Sequence, residues 1–123
     1  MRVSYAIVFV SDMKQSVAFY RDIVGLPLRF ESAGWSEFAT EGATLALHQE
    51  GAPRRESDSP QALAAGQCRP GIAVPDVDRF HERMLSMRVR CVQEPKTVFG
   101  SRVAQYADPD GLVFSVGEDR RPA

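Results

Sequence analysis

The sequence contains little that points to a secreted or membrane-bound protein. Its two cysteines, Cys68 and Cys91, are too few for the disulfide framework of a small secreted domain. Neither stands in a CxxC motif or beside a histidine cluster, so we predict ordinary sheet or core residues in a reduced, cytoplasmic protein. The longest early apolar run, residues 5–10, falls far short of the roughly 20 residues that span a bilayer, and we find no secretory signal peptide.

The sequence also lacks an excess of charge of either sign. Its 15 lysines and arginines stand against 16 aspartates and glutamates, which leaves a net charge of -1. This balance gives no electrostatic basis for binding nucleic acid or an anionic membrane, so we expect neither as a partner. What the chain does have, 44% hydrophobic residues over a length of 123, is typical of a single globular domain.

Hydrophobic spacing and turn residues predict the same order of elements twice. In the first half we expect a strand, a helix and three strands over residues 2–10, 13–24, 28–31, 35–40 and 43–49. Asp12 caps this helix, Gly25 ends it in a left-handed conformation, and Glu41-Gly42 makes a tight hairpin turn. In the second half we expect strands over residues 69–74, 89–93, 101–107 and 112–117, and a helix capped by Asp76 with the apolar face Val77, Phe80, Met84 and Met87.

The two halves align at their helix starts. One βαβββ unit is repeated when Val10-Ser11-Asp12-Met13 is aligned with Val74-Pro75-Asp76-Val77. Such repeats determine the architecture. We therefore predict one domain over 1–123, made of a first module (1–49), a linker (50–67) with a short helical turn over 61–65, a second module (68–118) and a tail (119–123). The predicted fold is α+β, in which the two modules form curved mixed sheets around a concave cleft.

Motifs along nearly the whole chain carry a resemblance to a known superfamily. They are Val8-x-Val10-x-Asp12-Met13, Ala18-Phe19-Tyr20, Gly25-Leu26-Pro27-Leu28, Trp35, Leu45-Ala46-Leu47-His48, Ile72-Ala73-Val74-Pro75-Asp76-Val77, Phe99-Gly100 and Asp108-Pro109-Asp110-Gly111. As a set they resemble the vicinal oxygen chelate superfamily of glyoxalases, bleomycin-resistance proteins and extradiol dioxygenases. The motifs are weak for any single activity, because this fold hosts many chemistries.

The resemblance implies where a metal would be bound. Metal enzymes of the superfamily place His, Gln or Glu at four strand positions. In this sequence those positions are Tyr5, Ala46, Arg69 and Ser115. None is a normal ligand for a divalent metal, and the arginine would repel one. We therefore predict no standard metal site and no cofactor, while an altered divalent-metal site around His48 and Glu37 stays open.

Side-chain alternation along the strands indicates which residues line the cleft. If Tyr5 points into the cleft, alternate residues after it do so as well. A two-residue turn at Glu41-Gly42 pairs Trp35 with His48 and puts both on the cleft side. The predicted lining is Tyr5, Ile7, Phe9, Trp35, Glu37, His48, Arg69, Val113 and Ser115. Such an aromatic, mostly apolar surface is typical of a small-molecule site, in which Arg69 suits a carboxylate or phosphate.

Two functions of different classes fit this lining. The first is binding and sequestration of a small, partly aromatic or anionic molecule, as in the bleomycin-resistance branch. The second is catalysis by a lyase, isomerase or dioxygenase in which His48 and Glu37 act as acid–base residues or as altered metal ligands. Each residue also has a simpler interpretation: His48 as a solvated rim residue, and Glu37 as a surface residue or the partner of Arg69. The resemblance further implies a homodimer that exchanges modules.

Overall fold

The computed structural model describes residues 3–50 and 68–118. The chain divides into two compact units, Met1–Arg54 and Arg55–Ala123, and each is described by itself. Most of the predicted linker, with its helical turn over residues 61–65, lies outside the described residues, and so does the tail 119–123. Within the described ranges, no helix has both the length and the apolar character needed to cross a membrane.

The first unit is a four-stranded sheet with one helical segment. Its elements in chain order are β1 (Tyr5–Val10), α1 (Met13–Ala18), β2 (Leu28–Glu31), β3 (Trp35–Phe38) and β4 (Thr44–Gln49). The spatial order is β1-β4-β3-β2, in which β1 and β4 run parallel and the other neighbours run antiparallel. The chain reaches β4 through α1 and the two intervening strands, a connection long enough for parallel pairing.

The second unit repeats this connectivity. Its elements are β5 (Gly71–Val74), α2 (Val77–Ser86), β6 (Arg90–Val98), β7 (Ser101–Ala107) and β8 (Val113–Glu118). The spatial order is β5-β8-β7-β6, again with the first strand parallel to the last. Two four-stranded mixed sheets of matching topology confirm the predicted α+β fold of two βαβββ modules.

Both helices begin where the sequence predicts. The Asp12 carboxylate accepts a 3.1 Å hydrogen bond from the backbone N–H of Gln15, and Asp76 accepts one of the same length from Arg79. Each aspartate stands just before its helix in an extended conformation. Both therefore act as N-caps that satisfy a backbone donor otherwise left free at the helix start.

The first helix ends differently from the prediction of one α-helix over 13–24. It is α-helical to Ala18 and continues as a π-helix over Phe19–Val24. The N–H groups of Gly25 and Leu26 bond to the Tyr20 carbonyl at 3.1 and 2.9 Å. The predicted left-handed end is confirmed by the φ of 101° at Gly25. Helical spacing did not reveal the wider turn, because α and π periods are nearly indistinguishable over six residues.

Each sheet buries one face against its helix. The largest fully buried apolar side chains are Val10, Val17, Tyr20, Phe38 and Leu47 in the first unit, and Val77, Met84, Tyr106, Phe114 and Val116 in the second. The predicted apolar face of α2 is buried except for Met87, which is 44% exposed. The reason is that α2 ends at Ser86, so Met87 lies beyond the helix as its C-terminal cap.

The hairpin between β3 and β4 has the predicted register without the predicted tight turn. Trp35 pairs with His48, and Phe38 pairs with Leu45 at the end of the ladder. Residues 39–43 then form a wider connection, in which the Thr40 hydroxyl donates to the Ala43 carbonyl and accepts from the backbone of residue 42. Hydrogen bonds of the Thr40 side chain thus close the connection, beyond the last backbone pair of the two strands.

Strand β6 is longer than predicted because it continues through Pro95 to Val98. It is an edge strand with irregular register on both sides of Gln93, and a proline is tolerated at such a position. Cys91 lies half-buried in this strand, whereas Cys68 is exposed before β5, and both are free thiols. The interpretation as a sheet or core residue therefore holds for Cys91 alone.

Candidate functional site

Six of the predicted lining residues lie together on one face of the first sheet. The register places the following side chains on the side opposite the buried core, here called the open face: Tyr5, Ile7, Phe9, Trp35, Glu37 and His48. Tyr5, Ile7 and Phe9 are 53%, 41% and 59% exposed, whereas Val8 and Val10, which alternate with them, are buried. The alternation predicted for β1 is therefore observed from Ile7 to Val10, whereas Ala6, near the start of the strand, is exposed although alternation predicts its burial.

The rings on the open face form a continuous cluster. The centroid of the Trp35 ring lies 6.4 Å from that of Tyr5 and 6.2 Å from that of His48, both edge-to-face. Phe9 contacts His48 from the other side at 5.4 Å. These spacings are those of favourable aromatic pairs, so the rings hold one another in place while a large part of their surface stays exposed.

The indole of Trp35 is also held by hydrogen bonds. Its Nε1–H donates a 2.8 Å bond to Glu37 Oε2. The other carboxylate oxygen of Glu37 accepts from Arg29 Nη2, which also donates to Thr44 Oγ1 at 3.1 Å. The indole N–H, followed by the Arg29 guanidinium, holds the pKa of the Glu37 carboxyl below its ordinary value. Glu37 is therefore a charged group with both oxygens engaged inside the first unit.

Sequence reasoning missed Arg29 and Phe30. The register passes from the Leu28–Phe38 pair to the Phe30–Glu37 pair, so two residues of β2 oppose the single residue Glu37. This is the two-against-one arrangement of a β-bulge. Strict alternation cannot predict it, and the only available signal was the presence of a cation on the strand next to Glu37.

His48 differs from its neighbours in the environment of one ring nitrogen. Its Nδ1 is buried and has no hydrogen-bond partner among the described residues. The nearest opposite charge is Glu50 Oε2, at 3.9 Å. The side chain as a whole is nevertheless 45% exposed. The exposed surface of the His48 side chain therefore comes from atoms other than Nδ1.

The other three predicted lining residues belong to the second unit. Arg69 is half-buried just before β5. Ser115 on β8 is half-buried, pairs with Gly71 and donates its backbone N–H to the Pro70 carbonyl at 2.9 Å. Val113 pairs with Ala107 and is only 3% exposed. Their role in ligand binding stays a prediction made from the sequence.

Two polar residues outside the predicted lining have structural partners in the second unit. Arg102 forms a 3.0 Å ion pair with Asp78 of α2, and this contact lowers the pKa of the Asp78 carboxyl. His81 Nδ1 lies 2.9 Å from the hydroxyl of Tyr106. Burial raises the pKa of the Tyr106 phenol far above its ordinary value. The His81 side chain therefore joins α2 to the buried side of β7.

The residues at the implied metal positions do not fit a divalent ion. Alanine at position 46 has no donor atom, and the cationic guanidinium of Arg69 cannot act as a ligand. Over residues 3–50 and 68–118, no group of three or more His, Cys, Asp or Glu side chains is arranged to hold a metal ion.

A shallow hollow of about 510 Å³ lies elsewhere on the first unit, beside the start of α1. It shares no residue with the open face. Its lining is Ser11, Asp12, Met13, Lys14, Glu31, Ser32, Ala33 and Gln49. Six of these eight residues are polar by type, none is aromatic, and Asp12 and Gln49 already bond to the helix start. The open face is consequently the stronger candidate for binding an aromatic molecule.

Comparison with known proteins shows to which family this chain belongs. A model of the Glyoxalase/Bleomycin resistance protein/Dioxygenase superfamily matches residues 2–116. The uncharacterized protein YraH of Bacillus subtilis (strain 168) is 28% identical over 123 residues, covering 87% of this chain and 90% of that protein. The solved structure of SMU.1112c has a TM-score of 0.81 at 20% identity, with 96% of this chain and 98% of that chain covered. A lactoylglutathione lyase from Agrobacterium tumefaciens has a TM-score of 0.73 at 22% identity, with coverage of 96% and 93%. These structural likenesses concern the fold, while the family match over nearly the whole length shows that the chain belongs to the glyoxalase/bleomycin resistance protein/dioxygenase superfamily.

Proposed function

We propose that the protein binds a small, partly aromatic or anionic molecule on the open face of the first sheet and sequesters it without breaking a bond. The observation that carries this proposal is the exposed ring cluster around Trp35. Large apolar side chains that are exposed together on one surface usually mark a binding site, because contact with water costs free energy that a ligand can recover. Flat rings favour a ligand that is itself planar.

The rigidity of Trp35 supports recognition of a planar ligand. Its indole N–H is bonded to Glu37, which is held in turn by Arg29. Because the indole is already ordered, a ligand stacking on it loses less conformational entropy on binding than it would on a mobile ring. The ion pair also neutralises Glu37, so the carboxylate does not strongly repel an anionic ligand.

Sequestration is favoured over catalysis by the chemistry of the available groups. Both oxygens of Glu37 are engaged, so this residue is poorly placed to take a proton or to bind a metal. Of the two residues suggested for an enzyme, only His48 then has an exposed, reactive group. The alternative, a lyase, isomerase or dioxygenase of the same superfamily, would have to rely mainly on that imidazole.

The test uses the only tryptophan of the chain, Trp35. Its indole N–H gives a single cross-peak in a heteronuclear NMR spectrum, and this cross-peak reports directly on the open face. We expect naphthoate, a planar aromatic anion, to shift the cross-peak saturably, and cyclohexanecarboxylate, which is not planar, to have little effect. Phe9→Ala should weaken naphthoate binding, whereas Phe99→Ala, an exposed aromatic in the second unit, should leave it unchanged.

Two outcomes would contradict the proposal. If neither naphthoate nor an uncharged planar ring causes a saturable shift, the open face does not bind planar rings. If a small-molecule substrate is found and is recovered chemically altered after incubation with the protein alone, the protein is an enzyme. We also propose a homodimer, which light scattering at micromolar concentration tests directly, since a monomer there would refute it.

A further inference from the structure

Among the described polar side chains of the open face, His48 is the one with a buried polar atom that makes no hydrogen bond. Its Nδ1 is shielded from solvent and has no hydrogen-bond partner among the described residues. Glu50 places a carboxylate oxygen 3.9 Å from that nitrogen. The imidazole ring lies between the rings of Phe9 and Trp35, and its centroid is 5.4 Å from that of Phe9 and 6.2 Å from that of Trp35. These contacts restrict both the orientation of the imidazole and its access to water.

The position of Glu50 determines which nitrogen carries the proton in a neutral ring. A neutral imidazole has one N–H donor and one acceptor nitrogen. A carboxylate near Nδ1 favours the tautomer with the proton on Nδ1, because the N–H dipole then points toward negative charge. The other nitrogen, Nε2, is left as a hydrogen-bond acceptor on the exposed part of the ring.

We propose that the ligand of the open face is a planar ring that carries a hydroxyl or N–H donor, and that His48 Nε2 accepts its hydrogen bond. This inference rests on the proposed function and adds the class of ligand. The ring would lie against the cluster formed by Trp35 and Phe9, while its donor meets the one acceptor nitrogen there. Glu50 is a positioning residue, since it acts only through the tautomer of His48.

The other polar groups on this face do not compete for that donor. Glu37 already accepts from Trp35 and Arg29, and Arg29 is itself a donor. Two other titratable side chains of the described residues lie near the cluster: Tyr5 is beyond Trp35 from His48, and the Glu50 carboxylate lies on the Nδ1 side of the imidazole, away from Nε2. A phenol, an enol or a heterocyclic N–H therefore fits the face better than an ether or a plain hydrocarbon ring.

The test compares naphthol with its methyl ether, which have the same rings and differ in one donor. The shift of the Trp35 indole cross-peak gives both dissociation constants, at a pH at which naphthol keeps its proton. In the unaltered protein naphthol should bind about fivefold more tightly, the factor expected for one net hydrogen bond. His48→Phe keeps an aromatic ring without the acceptor, so it should abolish this preference while both compounds still bind.

Glu50→Gln tests the positioning role. It should reduce the preference for naphthol and shift His48 toward the Nε2–H tautomer, which the nitrogen chemical shifts of the imidazole report independently of binding. Glu82→Gln, an exposed carboxylate on α2, is the matched control and should change neither quantity. An unchanged tautomer in Glu50→Gln would overturn the role of Glu50.

The results separate failure of this inference from failure of the proposed function. If naphthol and its methyl ether bind the unaltered protein equally well, the open face binds rings but His48 does not select a donor, and the inference is overturned. If neither compound nor naphthoate binds, the open face is not a ring-binding surface and both proposals fall. A preference that persists in His48→Phe would assign the acceptor to another residue.

Discussion

Gln49, the last residue of β4, accepts a 2.9 Å hydrogen bond through its side-chain Oε1 from the backbone N–H of Met13, the first residue of α1. The second unit repeats this contact, because Glu118 at the end of β8 accepts at 3.3 Å from the N–H of Val77, the first residue of α2. In each module the final strand therefore bonds to the first turn of the helix, although the residue types differ. Together with the aspartate caps, these bonds satisfy two of the free donors at each helix start.

The first prediction concerns these helix starts. Asp12→Ala and Asp76→Ala should each lower the free energy of unfolding by about 1 kcal/mol, because each removes an N-cap. Urea denaturation measures the change. Glu82→Ala on the exposed side of α2 serves as the control and should change stability by less than about 0.5 kcal/mol. Equal losses in the cap variants and in the control would contradict the capping role.

The second prediction distinguishes the two faces of the first sheet. Phe38 is fully buried and packs against Tyr20 at a ring distance of 6.0 Å, whereas Phe30 is 51% exposed. Phe38→Ala should therefore cost about 3–5 kcal/mol of stability through lost burial and a cavity. Phe30→Ala should cost much less. A chemical denaturation series on both variants decides the matter, and a larger loss for Phe30→Ala would show that the burial pattern is wrong.

The third prediction concerns the pH dependence of the Trp35–Glu37 contact. The indole N–H and then Arg29 hold the pKa of Glu37 below its ordinary value of 4.5. The contact should therefore be fully present above pH 4.5 and be lost only as the pH falls further, through the lowered pKa of the folded state. In His48→Phe, which removes the neighbouring imidazole, the Trp35 indole cross-peak should stay constant from neutral pH down to 4.5 and move below it.

Glu37→Gln provides the control for this titration. The amide oxygen can still accept from the indole N–H, but the side chain no longer titrates. The acid-induced movement of the Trp35 cross-peak should then disappear for as long as the variant stays folded. A transition centred above pH 4.5 in His48→Phe that disappears when Glu37→Gln is added would show that Glu37 is not held in its charged form.

The fourth prediction concerns Tyr106, which is fully buried beside His81. Burial raises the pKa of its phenol above the ordinary value of 10.0. Since the folded protein holds this proton more tightly than the unfolded chain does, stability should fall as the pH rises above 10.0. In an alkaline absorbance titration, Tyr106 should ionise only when the protein unfolds, and Tyr106→Phe should lack that step.

The fifth prediction concerns metal content. Protein purified without chelators should contain no stoichiometric transition metal, because the four positions implied by the family carry Tyr5, Ala46, Arg69 and Ser115. Elemental analysis of the purified protein is the measurement. A stoichiometric metal that is lost in His48→Ala would contradict sequestration without metal and would favour the enzyme alternative.

Much of the architecture was predictable because it follows local rules. Alternation along β1 placed Tyr5 and Phe9 opposite Val8 because successive side chains of a strand point to opposite faces. The pairing of Trp35 with His48 followed from the same period together with the position of the connection between the strands. The wider turn at residues 39–43 did not disturb that register, since the extra residues lie outside the ladder.

The errors have a different origin. Placing Arg29 and Phe30 opposite Glu37 needs a bulge, and no short-range pattern marks where a strand gains one residue. The continuation of β6 through Pro95 depends on its place at the sheet edge, which only the strand order reveals. The contact between His81 and Tyr106 could not be predicted either, because the two residues are 25 positions apart in the sequence.

The sequence by itself determined the two βαβββ modules, the helix caps and the aromatic character of one sheet face, because each follows from the spacing of neighbouring residues. Only the tertiary structure decided that Glu37 is held by Trp35 and Arg29, and that His48 Nδ1 faces Glu50. These relationships depend on side-chain conformation and on a strand irregularity, neither of which leaves a periodic signal. The chemistry of the open face is therefore set by contacts between side chains, on a surface that the pattern of residues had already located.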